Sequence, residues 1–392
     1  MDLNSTPILP YGKQTISEDD IAAVVEVLRS AYLTQGPTVP AFEQAVAAKV
    51  GAINGVAVNS ATSALHIACL ALGLGPGDRL WTSPVTFVAS ANCARYCGAE
   101  IDFVDIDPST GLMSVNALAA KLENAQQENK LPKIVVPVHL CGTSCDMVSI
   151  SELARRYGFH VLEDASHAIG GRYQGKPVGS CAHSSITVFS FHPVKIITTG
   201  EGGLATTNDP ELALRMSELR SHGITKDQGR FELSSPGPWS YEQQCLGFNY
   251  RMTDLEAALG QSQLRRLDAI VAERNMLLGR YQKLFSELPV QLLRVPEDVL
   301  SSLHLAVIRL ADRRPEHHRR IFEGLRASGI GVQLHYIPVH LQPYYRKMGF
   351  QEGNYREAEA YASNAISIPL YPGLQERDQR RVVDRLTSLL TI

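Results

Sequence analysis

Lys195 is the residue whose type and neighbours favour covalent chemistry. It follows an apolar, β-branched run over residues 185–189 that predicts a buried strand, and glycines stand at 200, 202 and 203. Burial lowers the pKa of an ammonium group, and Glu201 is the nearest acid in sequence, so a free amine near neutral pH is expected. A free amine attacks a carbonyl carbon and forms a Schiff base. Taken alone, a surface lysine in a loop is the simpler interpretation.

Three other stretches place polar or aromatic side chains at the ends of predicted strands. The turn Asn59-Ser60-Ala61-Thr62-Ser63 leads into a helix N-terminus, where hydroxyls and amides bind phosphate. Phe87 follows a second strand and offers its face to a flat ring. Asp164 ends a third strand, where its carboxylate can hold a pyridinium N–H, and His167 follows three residues later. The alternatives are helix capping for the turn and for Asp164, and core packing for Phe87.

Together these stretches supply a phosphate cradle, a stacking ring, an acid for a ring nitrogen and a lysine for an imine. Pyridoxal phosphate needs these four groups, so we predict pyridoxal 5′-phosphate as the cofactor. No metal is predicted. Cys93, Cys97, Cys141 and Cys145 could supply four thiolates to zinc, but Cys93 and Cys97 share a helix face in an alanine-rich stretch. Cysteine in such a setting is typically a small core residue.

The elements that must position these groups alternate between short apolar runs and helices from residue 56 onward. Strands are predicted at 56–58, 101–107, 133–140, 160–164, 184–191 and 204–207. This alternation favours an α/β fold with a mostly parallel sheet and helices on both faces. Ligands of such sheets bind beyond the carboxyl ends of the strands, where the candidate residues stand.

The length of 392 residues predicts two domains rather than one core. One long helix from Thr253 to Leu284 is expected to lead into a smaller α/β lobe with strands at 303–310, 331–335 and 366–370. We predict a large cofactor-binding domain over residues 1–255, including an N-terminal helical segment, and a small C-terminal domain over residues 256–392. Residues 223–250 form a long loop, and such loops tend to be functional.

Composition argues against several other classes of protein. Thirty-seven basic and 40 acidic residues give a net charge of -3, which provides no electrostatic footprint for nucleic acid or an anionic membrane. Seven scattered cysteines fit reduced thiols better than a disulfide framework. Residues 1–7 lack a basic and apolar leader, and no apolar run is long enough to cross a bilayer, so a cytoplasmic protein is expected.

The sequence resembles the DegT/DnrJ/EryC1/StrS family of sugar aminotransferases over almost its whole length. The resemblance rests on six motifs, which lie at residues 10–14, 33–37, 164–168, 189–203, 247–252 and 333–340. It implies a fold-type-I, pyridoxal-phosphate-dependent aminotransferase, with a mostly parallel seven-stranded sheet flanked by helices in the large domain and a smaller C-terminal α/β domain. Some relatives have histidine at the lysine position and are dehydratases, so Lys195 argues against dehydration.

The resemblance also implies roles for individual residues. Lys195 would carry the imine, and Asp164 would pair with the pyridine nitrogen. The phosphate would be held by Thr62, Ser63, Ser190 and, in a homodimer with shared active sites, Asn249 of the partner subunit. The ring would lie between Phe87 and His167. The predicted substrate contacts are Tyr11, Arg251, His335, Tyr336 and His340. Packing at a strand end is the alternative for the last three, and support of Asn249 is the alternative for Arg251.

Two residues depart from the family pattern. His167 stands where the family often has glutamine, and Cys141 stands where it often has tyrosine. The ring contact of His167 therefore departs from the family pattern, and Cys141 is expected to alter the shape of the substrate site.

The function implied by the resemblance is transfer of an amino group from glutamate to the C4 ketone of a UDP-linked 4-keto-6-deoxy-N-acetylhexosamine, in pseudaminic acid biosynthesis. A second interpretation keeps the cofactor and takes another nucleotide-linked 3- or 4-keto-deoxysugar as substrate. A third is a non-catalytic regulator that binds a sugar nucleotide. The third predicts a colourless protein, whereas a lysine-bound cofactor makes the protein yellow.

Overall fold

The computed structural model describes residues 8–312 and 314–391. The prediction that no leader precedes the domain concerns residues 1–7, which lie outside this part of the chain. Within the described residues, no helix combines the length and the apolar character that a bilayer crossing requires. Cys93, Cys97, Cys141 and Cys145 are buried, and the first two pack in the core as predicted.

The α-helices of the described residues are α1 Glu18–Arg29, α2 Thr38–Val50, α3 Ala61–Ala71, α4 Ala89–Tyr96, α5 Val115–Gln127, α6 Met147–Tyr157, α7 Pro210–Leu219, α8 Asp254–Leu264, α9 Leu267–Leu284, α10 Pro315–Ala327, α11 Pro343–Arg346, α12 Arg356–Ala362 and α13 Glu376–Leu390. Short 3-10 turns lie at Leu140–Gly142, Gln228–Arg230 and Val339–Leu341. The strands are β1 Asn54–Val58, β2 Arg79–Thr82, β3 Glu100–Phe103, β4 Ile134–Val136, β5 His160–Asp164, β6 Arg172–Tyr173, β7 Lys176–Pro177, β8 Ile186–Ser190, β9 Gly203–Thr207, β10 Ile224–Thr225, β11 Glu242–Gln243, β12 Val290–Leu292, β13 Val299–Leu300, β14 Ala306–Leu310 and β15 Ala365–Ile368.

The central sheet has seven strands in the order β1-β9-β8-β5-β4-β2-β3. The pairs from β8 to β3 are parallel, and β9 runs antiparallel to both of its neighbours. The prediction of a mostly parallel seven-stranded sheet is therefore confirmed. Several strands are shorter than predicted; the one expected over 133–140 is β4 at Ile134–Val136, and it ends before Pro137, which has no N–H to give to a sheet.

Strand β8 is buried on both faces, and this holds the start of the Lys195 loop in place. Ile186 and Val188 pack into the apolar cluster that contains α3 and α4. Phe189 and Phe191 pack on the opposite side, with residues of α2 and α8. Because successive side chains of a strand point to opposite faces, both clusters fix the same short strand.

The C-terminal part of the chain differs in two details from the prediction. The helix expected from Thr253 to Leu284 is divided into α8 and α9, which are separated by Arg265 and Arg266. The strand expected at 331–335 is reduced to one isolated bridge in the described residues, from Gln333 to Ser367. The small sheet consists instead of β12, β14 and β15.

A buried arginine ties α9 to the chain that enters β14. Arg274 donates to the carbonyl oxygens of Leu303, His304 and Leu370 at 3.1, 3.2 and 3.1 Å. Burial lowers the pKa of its guanidinium to about 10. The bonds to Leu303 and His304 fix the backbone just before β14, a segment that contributes to the cavity described next, and the bond to Leu370 holds the segment after β15.

Candidate active site

A cavity of about 410 Å³ lies beyond the carboxyl ends of β5 and β8. It brings together six of the predicted cofactor residues, namely Thr62, Phe87, Asp164, His167, Ser190 and Lys195. Tyr11, His335 and Tyr336, from the predicted substrate set, line the same cavity. Residues that are distant in sequence therefore meet where the parallel-sheet rule places a ligand.

Asp164, the last residue of β5, is a buried carboxylate held by neutral donors. Its Oδ2 accepts from the Ser90 hydroxyl at 2.6 Å, and its Oδ1 accepts from the Ser166 amide at 3.1 Å. The hydrogen of the Ser90 hydroxyl points to Asp164, so in the 2.7 Å bond between Thr86 and Ser90 the Thr86 hydroxyl is the donor. Asp164 is 5% exposed, and within the described residues these two hydrogen bonds come from neutral donors. A buried carboxylate in this state can take a cationic N–H from a ligand.

Lys195 lies in the tight loop after β8. The loop is closed by two backbone bonds, from Lys195 to the His192 carbonyl at 2.9 Å and from Thr199 to the Phe191 carbonyl at 3.0 Å. Burial lowers the pKa of the Lys195 amine to about 8, while the charge of Asp164 acts in the opposite direction. The amine is therefore a much better nucleophile near neutral pH than an ordinary lysine.

The start of α3 forms the predicted phosphate cradle. The first amides of a helix have no acceptor inside it, and the first turn of α3 contains no acidic residue. Strand β9 passes close to this turn, since a Cβ on Gly203 would lie 2.5 Å from the Ala61 nitrogen. Ser60 and Ala61 line the cavity beside Thr62, whereas the Ser63 hydroxyl donates to Asn59 at 2.7 Å and braces the turn.

A wall of imidazole and phenol rings faces Lys195. His167 Nδ1 accepts from the Cys141 amide at 3.3 Å, and His167 Nε2 lies 3.2 Å from the Tyr336 hydroxyl. Burial, followed by the positive charge of Lys195, holds the pKa of His167 well below its usual value. His335 is likewise kept neutral, with a pKa lowered to about 4 by burial and then by Lys195.

His304 is a residue of this wall that the sequence analysis missed. It is 4% exposed, lines the cavity, and its ring lies 4.4 Å from that of His167. The prediction included it in a strand over 303–310, but β14 begins at Ala306, and Leu303 has a φ of 52°. A histidine between two leucines at a predicted strand start was the available signal.

The remaining predicted substrate residues divide into two groups. The Tyr11 and His335 rings lie 5.2 Å apart, and the Tyr11 carbonyl accepts from the Leu370 amide, so the N-terminal segment is held over the cavity. His340 does not line the cavity; its Nε2 lies 2.9 Å from Glu359, and its ring packs on Tyr355. Asn249 and Arg251 bridge to Ser221 and Val58 and do not line their own chain's cavity either.

The residues present fit pyridoxal phosphate. A buried carboxylate held by neutral donors, an amine with a lowered pKa and a helix whose first turn has no acidic residue line one cavity. Phe87, at 58% exposure, adds an aromatic face at its edge. These groups match a pyridinium nitrogen, an aldehyde, a phosphate and a flat ring, respectively.

Comparison with known proteins agrees with this chemistry. The sequence profile of the DegT/DnrJ/EryC1/StrS aminotransferase family matches residues 14–387. The chain is 40% identical over 386 residues to the spore coat polysaccharide biosynthesis protein SpsC of Bacillus subtilis (strain 168), and the match covers 97% of each chain.

Two solved structures are similar over nearly the whole chain. Helicobacter pylori PseC, an aminotransferase involved in the biosynthesis of pseudoaminic acid, has a TM-score of 0.89 and 30% identity and covers 98% of this chain and 99% of its own. The PLP form of Spr1654 from Streptococcus pneumoniae has a TM-score of 0.88 and 29% identity, with the same coverage of 98% and 99%.

Proposed function

The chain belongs to the DegT/DnrJ/EryC1/StrS aminotransferase family, and from this premise we propose that its amino acceptor is the C4 ketone of a UDP-linked 4-keto-6-deoxy-N-acetylhexosamine. The proposed substrate is UDP-2-acetamido-2,6-dideoxy-beta-L-arabino-hex-4-ulose, with glutamate as the amino donor, in pseudaminic acid biosynthesis. The full-length similarity to PseC supports this substrate.

The enzyme is a sugar aminotransferase that uses pyridoxal phosphate. The single observation that carries the assignment within this chain is that Lys195 and the buried carboxylate of Asp164 line one cavity. When bound, the cofactor supplies an electrophilic carbon for the amine and an electron sink for the substrate.

The chain's own residues hold the cofactor and move protons around it. The first amides of α3, with Thr62 and Ser190, would hold the phosphate, and Asp164 would keep the pyridine nitrogen protonated. The Lys195 Nζ, once free, takes a proton from the substrate carbon as a base and later returns it as an acid. Its lowered pKa suits both tasks, because the two protonation states are then both accessible near neutral pH.

We also propose that the enzyme works as a homodimer with shared sites. Asn249 and Arg251 do not line the cavity of their own chain, which leaves them free to serve a neighbouring one. Exposed apolar side chains such as Leu28 on α1 and Trp239 in residues 223–250 offer a surface that a second copy could cover.

The domain boundary after residue 255 and the cytoplasmic location stay predictions.

A second substrate candidate is another nucleotide-linked 3- or 4-keto-deoxysugar. The higher identity to SpsC, a spore coat polysaccharide biosynthesis protein, than to PseC favours it. The family and the site chemistry are the same in both cases, because the candidates differ in the sugar and its nucleotide and not in the amino transfer itself.

A panel of keto sugars tests the proposal. Purified holoenzyme with glutamate is offered the two epimeric UDP-4-keto-6-deoxy-N-acetylhexosamines and a set of keto-deoxysugars on other nucleotides. We expect the highest kcat/KM with the β-L-arabino epimer; preference for any other sugar would refute the proposed substrate. Lys195→Ala serves as the control, because it should remove turnover and the yellow colour together. A colourless wild-type protein would favour the non-catalytic regulator.

A further inference from the structure

Three groups form a hydrogen-bonded series that ends at the cavity. The Cys141 amide donates to His167 Nδ1 at 3.3 Å, and His167 Nε2 lies 3.2 Å from the Tyr336 hydroxyl oxygen. A backbone amide can only donate, so Nδ1 must present its lone pair. The His167 ring is therefore neutral and carries its hydrogen on Nε2, which donates to the Tyr336 oxygen.

The surroundings of His167 keep this tautomer in place. The ring is buried, and both burial and the charge of Lys195 oppose a second proton on it. The His304 ring packs against it at 4.4 Å and limits its rotation. On the other side, Cys141 has a φ of 60°, and its amide points to Nδ1 in that backbone conformation.

Tyr336 is left with an uncommitted hydroxyl hydrogen. Its oxygen accepts from His167, and the hydroxyl makes no other hydrogen bond within the described chain. Burial raises its pKa, so the phenol stays protonated. The ring is positioned by Phe87, at a centroid distance of 6.2 Å, and by His335, at 5.0 Å. Tyr336 lines the same cavity as Lys195 and Asp164, so its hydrogen is available to a ligand bound there.

We propose that Tyr336 donates a hydrogen bond to a carbonyl or anionic oxygen of the ligand beside Lys195, and that His167 is the positioning residue that sets its direction. The oxygen has two sources with the same chemistry, the phenolic oxygen of the cofactor and the keto oxygen of the substrate. A fixed donor aimed at an oxygen that gains charge during the reaction stabilises the transition state. This inference rests on the proposed function for the presence of a cofactor and a ketone, but not for the identity of the sugar.

Tyr336→Phe tests the donor because it removes the hydroxyl and keeps the ring. Two readouts distinguish the sources of the oxygen. The first is the pH dependence of the visible absorbance of the bound cofactor without substrate. The second is the single-turnover rate of the pyridoxamine form with 2-oxoglutarate, a ketone that requires no sugar. Tyr344→Phe is the matched control, since Tyr344 is an exposed tyrosine that does not line the cavity.

If the acceptor is the cofactor oxygen, Tyr336→Phe should move the absorbance transition by about one pH unit, the size expected for one hydrogen bond to a charged group. If the acceptor is the keto oxygen of the substrate, the pH of the absorbance transition stays the same in Tyr336→Phe. The single-turnover rate with 2-oxoglutarate then falls about 100-fold. Unchanged titration together with an unchanged rate would overturn the proposal. A wild-type enzyme that reacts with 2-oxoglutarate but not with the UDP sugars would refute only the proposed substrate.

His167→Gln and His167→Leu test the positioning role. The glutamine Oε1 can accept from the Cys141 amide while its Nε2 donates to Tyr336, so this variant should keep the wild-type titration and at least a tenth of the rate. Leucine has neither an acceptor for the Cys141 amide nor a donor to Tyr336. His167→Leu should therefore change the same readout as Tyr336→Phe, and by a similar amount. Equal losses in the glutamine and leucine variants would contradict the role of His167 as a directed donor.

Discussion

The lowered pKa of Lys195 predicts how the apoprotein captures pyridoxal phosphate at each pH. Only the free amine reacts, and a pKa lowered from 10.5 to about 8 raises the free fraction at neutral pH about 300-fold. The capture rate, followed by visible absorbance in a stopped-flow instrument, is divided by the rate for N-acetyl-lysine at the same pH, which removes the cofactor's own titrations. This ratio should be constant below pH 8, fall tenfold per unit up to about pH 10.5, and then level off.

Asp164→Asn provides the matched variant for this profile. The carboxylate raises the pKa of Lys195 against the effect of burial, so its removal should lower that pKa further. The pH at which the ratio begins to fall should then move below 8, and the ratio at low pH should rise. A ratio that is the same at every pH would show that Lys195 titrates as an ordinary lysine and that burial does not lower its pKa.

Three further substitutions test the supports of the site. Ser90→Ala removes the 2.6 Å bond to Asp164 and should weaken cofactor binding about tenfold in a titration of the apoprotein, because a hydrogen bond to a charged group contributes at least about 1.5 kcal/mol. Arg274→Met leaves three buried carbonyls without a donor and should lower the free energy of unfolding in urea by about 3 kcal/mol, against less than about 1 for Arg280→Met on the same helix. Asp254→Asn should lower the melting temperature, since both carboxylate oxygens accept from the amides of Gly36, Thr38 and Val39 and an NH₂ group cannot.

The sequence was sufficient for the groups that stand at the ends of predicted strands. Asp164 closes β5, Lys195 follows β8 and Thr62 opens α3 after β1, so the alternation of strands and helices placed all three at one edge of the sheet. The same reasoning could not find Ser90. It reaches Asp164 from α4 across 74 residues, and nothing in its local pattern indicates that contact.

Other differences arise from packing that local patterns do not encode. The division between α8 and α9 falls at Arg265 and Arg266, where neither glycine nor proline marks a break. His304 enters the cavity because Arg274 holds the backbone before β14, a contact between distant segments. His340 belongs to a motif that predicted substrate contact, and the structure places it beside Glu359 and Tyr355, outside the cavity lining, so its contact with substrate stays a prediction.

The lysine that carries the cofactor can be identified directly. Reduction of the yellow holoenzyme with borohydride, followed by digestion and mass spectrometry of the peptides, locates the lysine that carries the cofactor. We expect the pyridoxyl group on Lys195 alone, with its loss in Lys195→Ala and weaker retention of the cofactor in Asp164→Asn. A stoichiometric label on any other lysine would contradict the central claim that the Lys195 amine and the Asp164 carboxylate hold one ring between them.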